Sequence, residues 1–467
     1  MISFGGGNAK NLIPGVLFTV GLIGCEAPRI DVAGQTAHLT GLTDAIVFRE
    51  SDPSQPIPPA TTDHLGLAQT VRLALQNDSR VRSAMEHIRM AEADSEQARL
   101  LPNPILVLDM RFPEKSGPIT FETELSEDLI SILEKPRAIS EADNRLRESV
   151  SNGLATVLDL IVETREAYAS AQSLDAEIAV AQERESIFAR LSDLANKRLK
   201  AGEGNRLDLL TFQAQHLQAI TDLEDFRLAS REQRITLARL IGDPHGPAEW
   251  ALDPWIPPSG AGAAEWAWID TALANRPEIL ARRWELAALG DEQVIAGYSP
   301  LAGTTVGSHA EHDPNWRTGP LITVPLPIFD FGQAANKKAQ AAYRAALYDL
   351  EQERLMAIEE TRRAYANCIA SQETLRQATE QLLPVQQEER RQTELAYQSG
   401  DAILPTLLLA ETDLRSTQLK IAELQENVTV AIVHLERAAG GAGVARTMEA
   451  PPIEPVTQSK VQTGSPK

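Results

Sequence analysis

Two cysteines in 467 residues, Cys25 and Cys368, leave no disulfide framework and no CxxC motif for a metal or redox centre. Aromatic residues make up only 5% of the chain, few for the ring-rich core of a compact enzyme, while 43% hydrophobic content excludes an ordinary disordered protein. Basic residues are scarce too: 44 Lys and Arg stand against 65 Asp and Glu, a formal net charge of −21, and no dense basic cluster occurs. That balance argues against a nucleic-acid partner and against a polybasic membrane-surface protein. Catalytic signatures are missing. Without GxSxG, HExxH or a phosphate-cradling glycine loop, no enzymatic activity, catalytic residue, cofactor or resident metal is expected. His309, Glu311, His312 and Asp313 form one ligand-like cluster, read as solvated loop residues between two strands because their spacing fits no standard metal site.

Long apolar runs are absent as well. Residues 11–24, NLIPGVLFTVGLIG, are too short to span a bilayer comfortably and read as an export signal. The run ends in Leu22-Ile23-Gly24-Cys25, which resembles the lipobox of bacterial lipoproteins. On that resemblance Cys25 is acylated and becomes the new N-terminus, and Glu26 rather than Asp favours an outer-membrane destination. The alternative is an ordinary cleaved signal with a chance cysteine. Cys368 reads as a small packing residue on a helix.

What the chain does have is an internal duplication. Shifted by about 197 residues, Glu163-Thr-Arg-Glu-Ala-Tyr-Ala169 falls on Glu360-Thr-Arg-Arg-Ala-Tyr-Ala366, and Leu199-Lys-Ala-Gly202 on Tyr397-Gln-Ser-Gly400. Leu240-Ile-Gly242 likewise matches Ala438-Ala-Gly-Gly441, and Ala74-Leu-Gln-Asn77 matches Ala272-Leu-Ala-Asn275. The expected organisation is a signal over 1–24, a linker over 25–63, repeats over 64–242 and 265–441 around a Pro/Gly-rich linker at 243–264, and a disordered tail over 442–467.

Each repeat reads as helix, β-hairpin, very long helix, tight turn, long helix. Composition predicts rods over about 136–200 and 332–398, the second interrupted only by Pro384, each on the order of 100 Å long. The last helix carries a heptad at Leu407, Leu414, Ile421, Val428 and Leu435, with a second stripe at Ala410, Thr417, Leu424, Ala431 and Ala438. Gly202 and Gly400 close helices at hairpin tips, and the charges spaced along every rod exclude the rods from hydrocarbon.

The hairpins have a different period. Leu106, Leu108, Met110 and Phe112 alternate with Asp109 and Arg111, and Ile119, Phe121 and Leu125 alternate with Thr120, Glu122 and Glu124. The second hairpin is expected over 302–309 and 319–329, with prolines limiting its pairing. Four strands cannot close a membrane barrel, whereas three copies supply twelve with an apolar-out, polar-in pattern. A small soluble sheet capping a coiled coil is the other reading of the same pattern.

Val324-Pro-Leu-Pro-Ile-Phe-Asp-Phe-Gly-Gln333 and Leu101-Pro-Asn-Pro104 resemble the segments that leave and enter the hairpins of TolC-like outer membrane efflux proteins, and the duplicated layout with its glycine tips extends the resemblance over about 64–441. The resemblance implies a mainly α fold with a small β-barrel contribution. Duplicated long helical hairpins would form a homotrimeric α-barrel tunnel, under a twelve-stranded barrel in the outer membrane lipid. It also implies docking on a periplasmic adaptor bound to an inner-membrane pump, with Gly202, Asp208, Gly400 and Thr406 at the periplasmic entrance. Some relatives close that entrance with acids after the tip glycines; here Asp208 stands at the first tip but Thr406 and Leu407 at the second. The implied function is a passive exit duct of a tripartite efflux or secretion system, and the competing one is a lipid-anchored periplasmic coiled-coil scaffold without a pore. The acidic surplus favours cation passage where it lines the duct.

Overall fold

A computed structural model describes residues 31–40, 63–112, 119–258, 264–312, 315–399 and 401–441. Cys25, Asp313, Gly400, the export segment and the tail lie outside the described residues. The first half runs α1 (Val32–Thr40), β1 (His64–Leu65), α2 (Leu67–Asn77), α3 (Ser79–Arg99), β2 (Ile105–Arg111), β3 (Thr120–Asp128), α4 (Leu129–Ala201) and α5 (Arg206–Leu240). The second half runs β4 (Ala251–Leu252), α6 (Glu265–Asn275), α7 (Pro277–Ala296), β5 (Thr305–His312), β6 (Trp316–Thr323), α8 (Gln333–Gln377), α9 (Leu383–Ser399) and α10 (Leu404–Ala438). The mainly α reading therefore holds, and each half contributes one hairpin and one long helical pair.

α4 contains 73 residues, which at 1.5 Å per residue makes a rod of about 110 Å. It starts where β3 stops, because the Asp128 carboxylate accepts hydrogen bonds from the Ile130 and Ser131 amides at 2.9 and 3.2 Å and so caps the first turn. It ends at Gly202, whose φ of 76° few side chains tolerate and whose N–H bonds back to the Leu199 carbonyl. In the second half, residues 333–399 form one continuous rod, with a π-turn at Ala378–Leu382 joining α8 to α9. That turn directly precedes Pro384, whose ring and missing N–H cannot be placed in an unbroken α-helix; the wider turn accommodates it without breaking the rod.

The duplication is visible in the packing. Thr164 and Thr361 are both fully buried and donate to the carbonyl four residues back, Leu160 and Ala357, at 2.7 Å. Glu163 pairs with Arg80 and Arg239, each at 2.7 Å, while Glu360 pairs with Arg276. Tyr168, 2% exposed, donates to the Leu65 carbonyl at 3.0 Å and accepts from the Asp253 amide at 2.9 Å. Burial pushes its phenol up to about 12. Around it Val71, Leu75, Leu160, Leu237 and Trp250 form a core at mid-rod level.

Residues 243–264 read as a linker, yet Trp250 is buried in that core and β4 pairs in parallel with β1. α1 likewise falls inside the stretch read as an N-terminal linker. A two-residue ladder leaves no periodicity in sequence, so the β1–β4 pairing was not visible there. Both α10 stripes are inward: Leu407, Leu414, Val428 and Leu435, and Ala410, Thr417, Leu424, Ala431 and Ala438, are all buried, with Ile421 half-buried. α10 packs on both α4 and α8, which joins the two halves.

His434 on α10 and Glu166 on α4 meet across this seam at 2.7 Å. The hydrogen bond and charge of Glu166 raise the imidazole above its ordinary range. The raised value means that the pair's contribution is complete below about pH 6.5 and is lost as pH rises through the folded value. Half of the His434 side chain is exposed, so the expected contribution is about 0.2–1 kcal/mol. Thermal midpoints measured from pH 6 to 9 should fall less steeply for His434→Gln than for the parent; parallel profiles would exclude the pair as a contributor.

Candidate functional site

Two regions concentrate features that core packing leaves unused: the sheet at one end of the rods and the helical tips at the other. The sheet is antiparallel, in the order β2-β3-β5-β6, so the two hairpins lie side by side through β3 and β5. Its register sets the faces. Leu106↔Leu125↔Ser308↔Pro320, Leu108↔Thr123↔Ala310↔Thr318 and Met110↔Phe121↔His312↔Trp316 occupy one face. Val107↔Glu124↔His309↔Gly319 and Asp109↔Glu122↔Glu311↔Arg317 occupy the other. The first face is apolar and exposed; Leu106, Leu108, Met110 and Trp316 are each more than half accessible. Trp316 stands edge-on to Phe121, with centroids 6.3 Å apart, and 5.1 Å from the His312 ring, which makes a small aromatic group near the hairpin ends. On the charged face Arg111 bridges Asp109 and Glu122, both at 3.0 Å, and Arg317 reaches Glu311 at 4.0 Å.

This geometry corrects the sequence reading of the second hairpin. The strands span 305–312 and 316–323, not 302–309 and 319–329. Gly303, at φ 86°, turns the chain before β5 begins, and Pro325 and Pro327 cannot donate to a ladder beyond Thr323. His309, Glu311 and His312 are consequently strand residues rather than loop residues, and they divide between faces, His309 and Glu311 on the charged one and His312 on the apolar one. Gly307 is needed where it stands: a Cβ there would lie 2.0 Å from the Leu125 carbonyl oxygen.

Below the sheet, residues 324–332 carry Leu326, Ile328, Phe329 and Phe331, all exposed, before α8 starts. Gly332 holds φ 74° against Ser299 and Pro300, where a Cβ would meet Ser299 Oγ at 2.7 Å. Its N–H donates to Asp330 Oδ1 at 2.8 Å. The Asp-Phe-Gly-Gln segment is therefore a tight turn that redirects the chain into the rod.

At the other end, Asn205 caps α5 through the Leu207 amide at 3.0 Å, and Asp208 lies half-buried in the first turn, where the helix dipole favours an acid. Thr406 is exposed in the first turn of α10. The two hairpins meet just inside the tips. Arg198 donates to the Tyr397 hydroxyl at 3.0 Å with its guanidinium 5.4 Å from the ring centroid, and Phe188, Phe212 and Leu404 share a core. Gly202 ends α4 in the turn that leads to α5; Asp208 and Thr406 stand on different hairpins. Further in, Glu411 (2% exposed) accepts from Arg415 and Arg390, both at 2.9 Å, and Arg415 also reaches Glu183 of α4 at 2.7 Å. Sequence reasoning missed this network, whose only trace is a charged i,i+4 pair set beside the heptad core.

No helix among the described residues is long and apolar enough to cross a membrane. Residues 268–441 match the outer membrane efflux protein family. The alkaline protease secretion protein AprF of Pseudomonas aeruginosa is 24% identical over 412 residues, spanning 80% of this chain and 84% of that protein. Among solved structures, the outer membrane protein VceC of Vibrio cholerae superposes with a TM-score of 0.68 at 19% identity, over 80% of this chain and 96% of that one. The open-state MtrE outer membrane channel of Neisseria gonorrhoeae gives 0.66 at 17%, over 90% and 99%.

Removing Arg415 leaves a buried carboxylate with only Arg390 as partner. Arg415→Met is expected to lower stability by about 2–3 kcal/mol, and Glu411→Leu/Arg415→Met, which withdraws the buried charge as well, to recover more than half of that. Thermal or denaturant unfolding of the three proteins checks this; a double variant no more stable than the single would show that the stranded Glu411 carboxylate is not the source of the loss.

Proposed function

We propose, for a chain that belongs to the TolC-like outer membrane efflux proteins, that three copies close into a passive duct from the periplasm to the exterior. One observation carries this reading: a four-stranded sheet with an apolar exposed face, a charged opposite face and two open edges, β2 and β6. Such a sheet in lipid requires neighbours, and three of them make a twelve-stranded barrel whose charged face lines water. The rods then continue the wall of the duct into the periplasm, and no chemical turnover is assigned to it.

The tips at Gly202, Asp208, Gly400 and Thr406 dock on a periplasmic adaptor, which couples the duct to an inner-membrane pump. Their sequence context and the exposed Leu207, Leu210 and Ile403 around them support that role. Cys25 carries a lipid anchor on the same reading, with repeats over 64–242 and 265–441. The cargo is chosen by pump and adaptor. AprF is named for protease secretion, so polypeptide export stands beside small-molecule efflux. The scaffold alternative has no use for the polarity of the hairpins.

The native mass of the protein extracted in mild detergent from separated outer membranes tests the proposal. Three chains are expected; a monomer or dimer released by salt or alkaline wash would favour the scaffold. Leu108→Arg, on the apolar face, should cost about 2–4 kcal/mol near the bilayer midplane and reduce the trimer recovered from outer membranes. Undiminished trimer would contradict the assignment of that face to lipid.

A further inference from the structure

The two hairpins lead into their rods through segments of opposite electrical character. Under the internal shift of about 197 residues, 134–151 at the start of α4 corresponds to 331–348 at the start of α8. The first segment balances Lys135, Arg137, Arg145 and Arg147 with Glu134, Glu141, Asp143 and Glu148. Each of its cations is used within the protomer. Lys135 donates to the Leu100 carbonyl, Arg137 pairs with Asp291 at 3.0 Å and Arg145 with Glu148 at 3.1 Å, and the Arg147 guanidinium lies 4.6 Å from the Trp284 ring centroid. The second segment carries Lys337, Lys338 and Arg344 and no Asp or Glu, in a chain of net charge −21. All three are exposed, and none has an ion pair or a side-chain hydrogen bond among the described residues. Tyr343, Ala346 and Leu350 take the inward face of α8, against Ile279 and Leu286 of α7, and leave the cations on the remainder of the helix.

Their depth is set by what precedes them. β6 contains eight residues, which at the tilt of a membrane barrel cover about 20 Å, less than the apolar band of about 25 Å that such a barrel presents. Exposed apolar side chains continue past the strand at Val324, Leu326, Ile328, Phe329 and Phe331, with Phe329 92% accessible. This stretch extends the apolar surface of the sheet by the missing few ångströms. α8 then starts at Gln333, and Lys337 and Lys338 follow its first turn, about 10 Å beyond Phe331 at 1.5 Å per residue. A bilayer of about 40–45 Å with a hydrocarbon core of about 30 Å places its headgroups within reach of these ammonium groups on their flexible stems. Arg344 lies about two turns further along, within a screening length of the headgroups at low salt.

We infer that Lys337, Lys338 and Arg344 form a cationic patch that holds anionic phospholipid headgroups of the periplasmic leaflet, one patch on each protomer of the trimer. The inference rests on the trimeric-duct reading above, which assigns the apolar face of the sheet to lipid. The apolar stretch fixes depth without distinguishing one lipid from another. The cations make the distinction, because each Lys or Arg near an anionic surface favours it by a factor of about five, whereas a zwitterionic headgroup brings its own ammonium against them. Screening shortens the reach of that attraction from about 10 Å at 0.1 M salt to about 3 Å at 1 M, so the preference weakens as salt rises.

The test uses the full-length protein reconstituted in vesicles of equal phosphatidylglycerol and phosphatidylcholine and re-extracted in mild detergent, with the lipid that remains on the trimer measured. The parent should retain phosphatidylglycerol over phosphatidylcholine by about threefold or more at 0.1 M salt, and the ratio should decline toward one at 1 M. Lys337→Gln/Lys338→Gln/Arg344→Gln, confirmed as a trimer by native mass, should bring it close to one at either salt. Equal retention of the two lipids by the parent trimer, or a preference that survives the glutamine changes, overturns the patch and leaves the duct intact. Inorganic phosphate that displaces the lipid at equal concentration would assign the cations to a free anion and overturn the headgroup site. A variant that dissociates before any lipid is added would assign them to a neighbouring copy, since α3 exposes Asp94 and Glu96, and equally overturn it. A parent that yields no trimer from outer membranes would sink the duct reading and the patch with it.

Discussion

Backbone hydrogen bonding in hydrocarbon is the constraint on which the molecule depends. A strand in water can leave its outer N–H and C=O groups solvated, but in lipid each unpaired group costs several kcal/mol, so a four-stranded sheet with edges at β2 and β6 has no stable existence there alone. Pairing β2 of one copy with β6 of the next removes both edges at once. In the proposed trimer, association is part of folding rather than an addition to it, and the apolar face of the sheet, unusable in a soluble monomer, is the surface that lipid would cover.

The helices inherit this geometry. Because Asp128 ends β3 and caps α4 in the same step, the direction of the first rod is fixed by the strand before it. The second hairpin uses a longer device, the proline-containing stretch 324–331 and the αL turn at Gly332, and so can set α8 at a different angle from α4. Two inequivalent connections from equivalent hairpins are what a duplicated chain needs if six hairpins in a ring are to lead into a closed wall of helices. The π-turn before Pro384 is a second departure from equivalence, for α4 runs unbroken over the corresponding stretch.

Legibility in sequence followed the range of the interactions. The heptad of α10, the glycine at the first tip and the alternation in β2 and β3 are set by neighbours along the chain, and each could be read directly. The ETRxAYA repeats were legible because their threonines and first alanines, Thr164 with Thr361 and Ala167 with Ala364, are buried in both halves, as the shared back-bond of the threonines illustrates, although Tyr365 and Ala366 are less buried than Tyr168 and Ala169. Contacts closed over long separations left no mark: the β3–β5 seam, the β1–β4 ladder and the Glu411–Arg415–Glu183 network join residues whose local patterns are unremarkable. The His309 cluster was misread for a related reason. Polar residues at the end of β5 look like a loop until the neighbouring strand supplies Glu122 and Glu124 opposite them.

Closure at the sheet also decides what happens along the rods. Leu217, Leu228 and Ile235 on α5 and Leu355, Met356 and Ile369 on α8 are exposed in the single chain, on helices at its periphery. In the proposed trimer, strands that continue into the helices would bring these side chains into register with a neighbouring copy, so that they would lose water in the same event that satisfies the sheet edges. The rotational and translational cost of association is then incurred once, while hydrogen bonding in the barrel and apolar burial along some 100 Å of helix both draw on it. A helical scaffold of the same length without the sheet would have to fix that register by side-chain packing alone, along a surface whose charges at nearly every turn, such as Glu373–Arg376 and Glu388–Arg391, are satisfied within one helix and specify no neighbour.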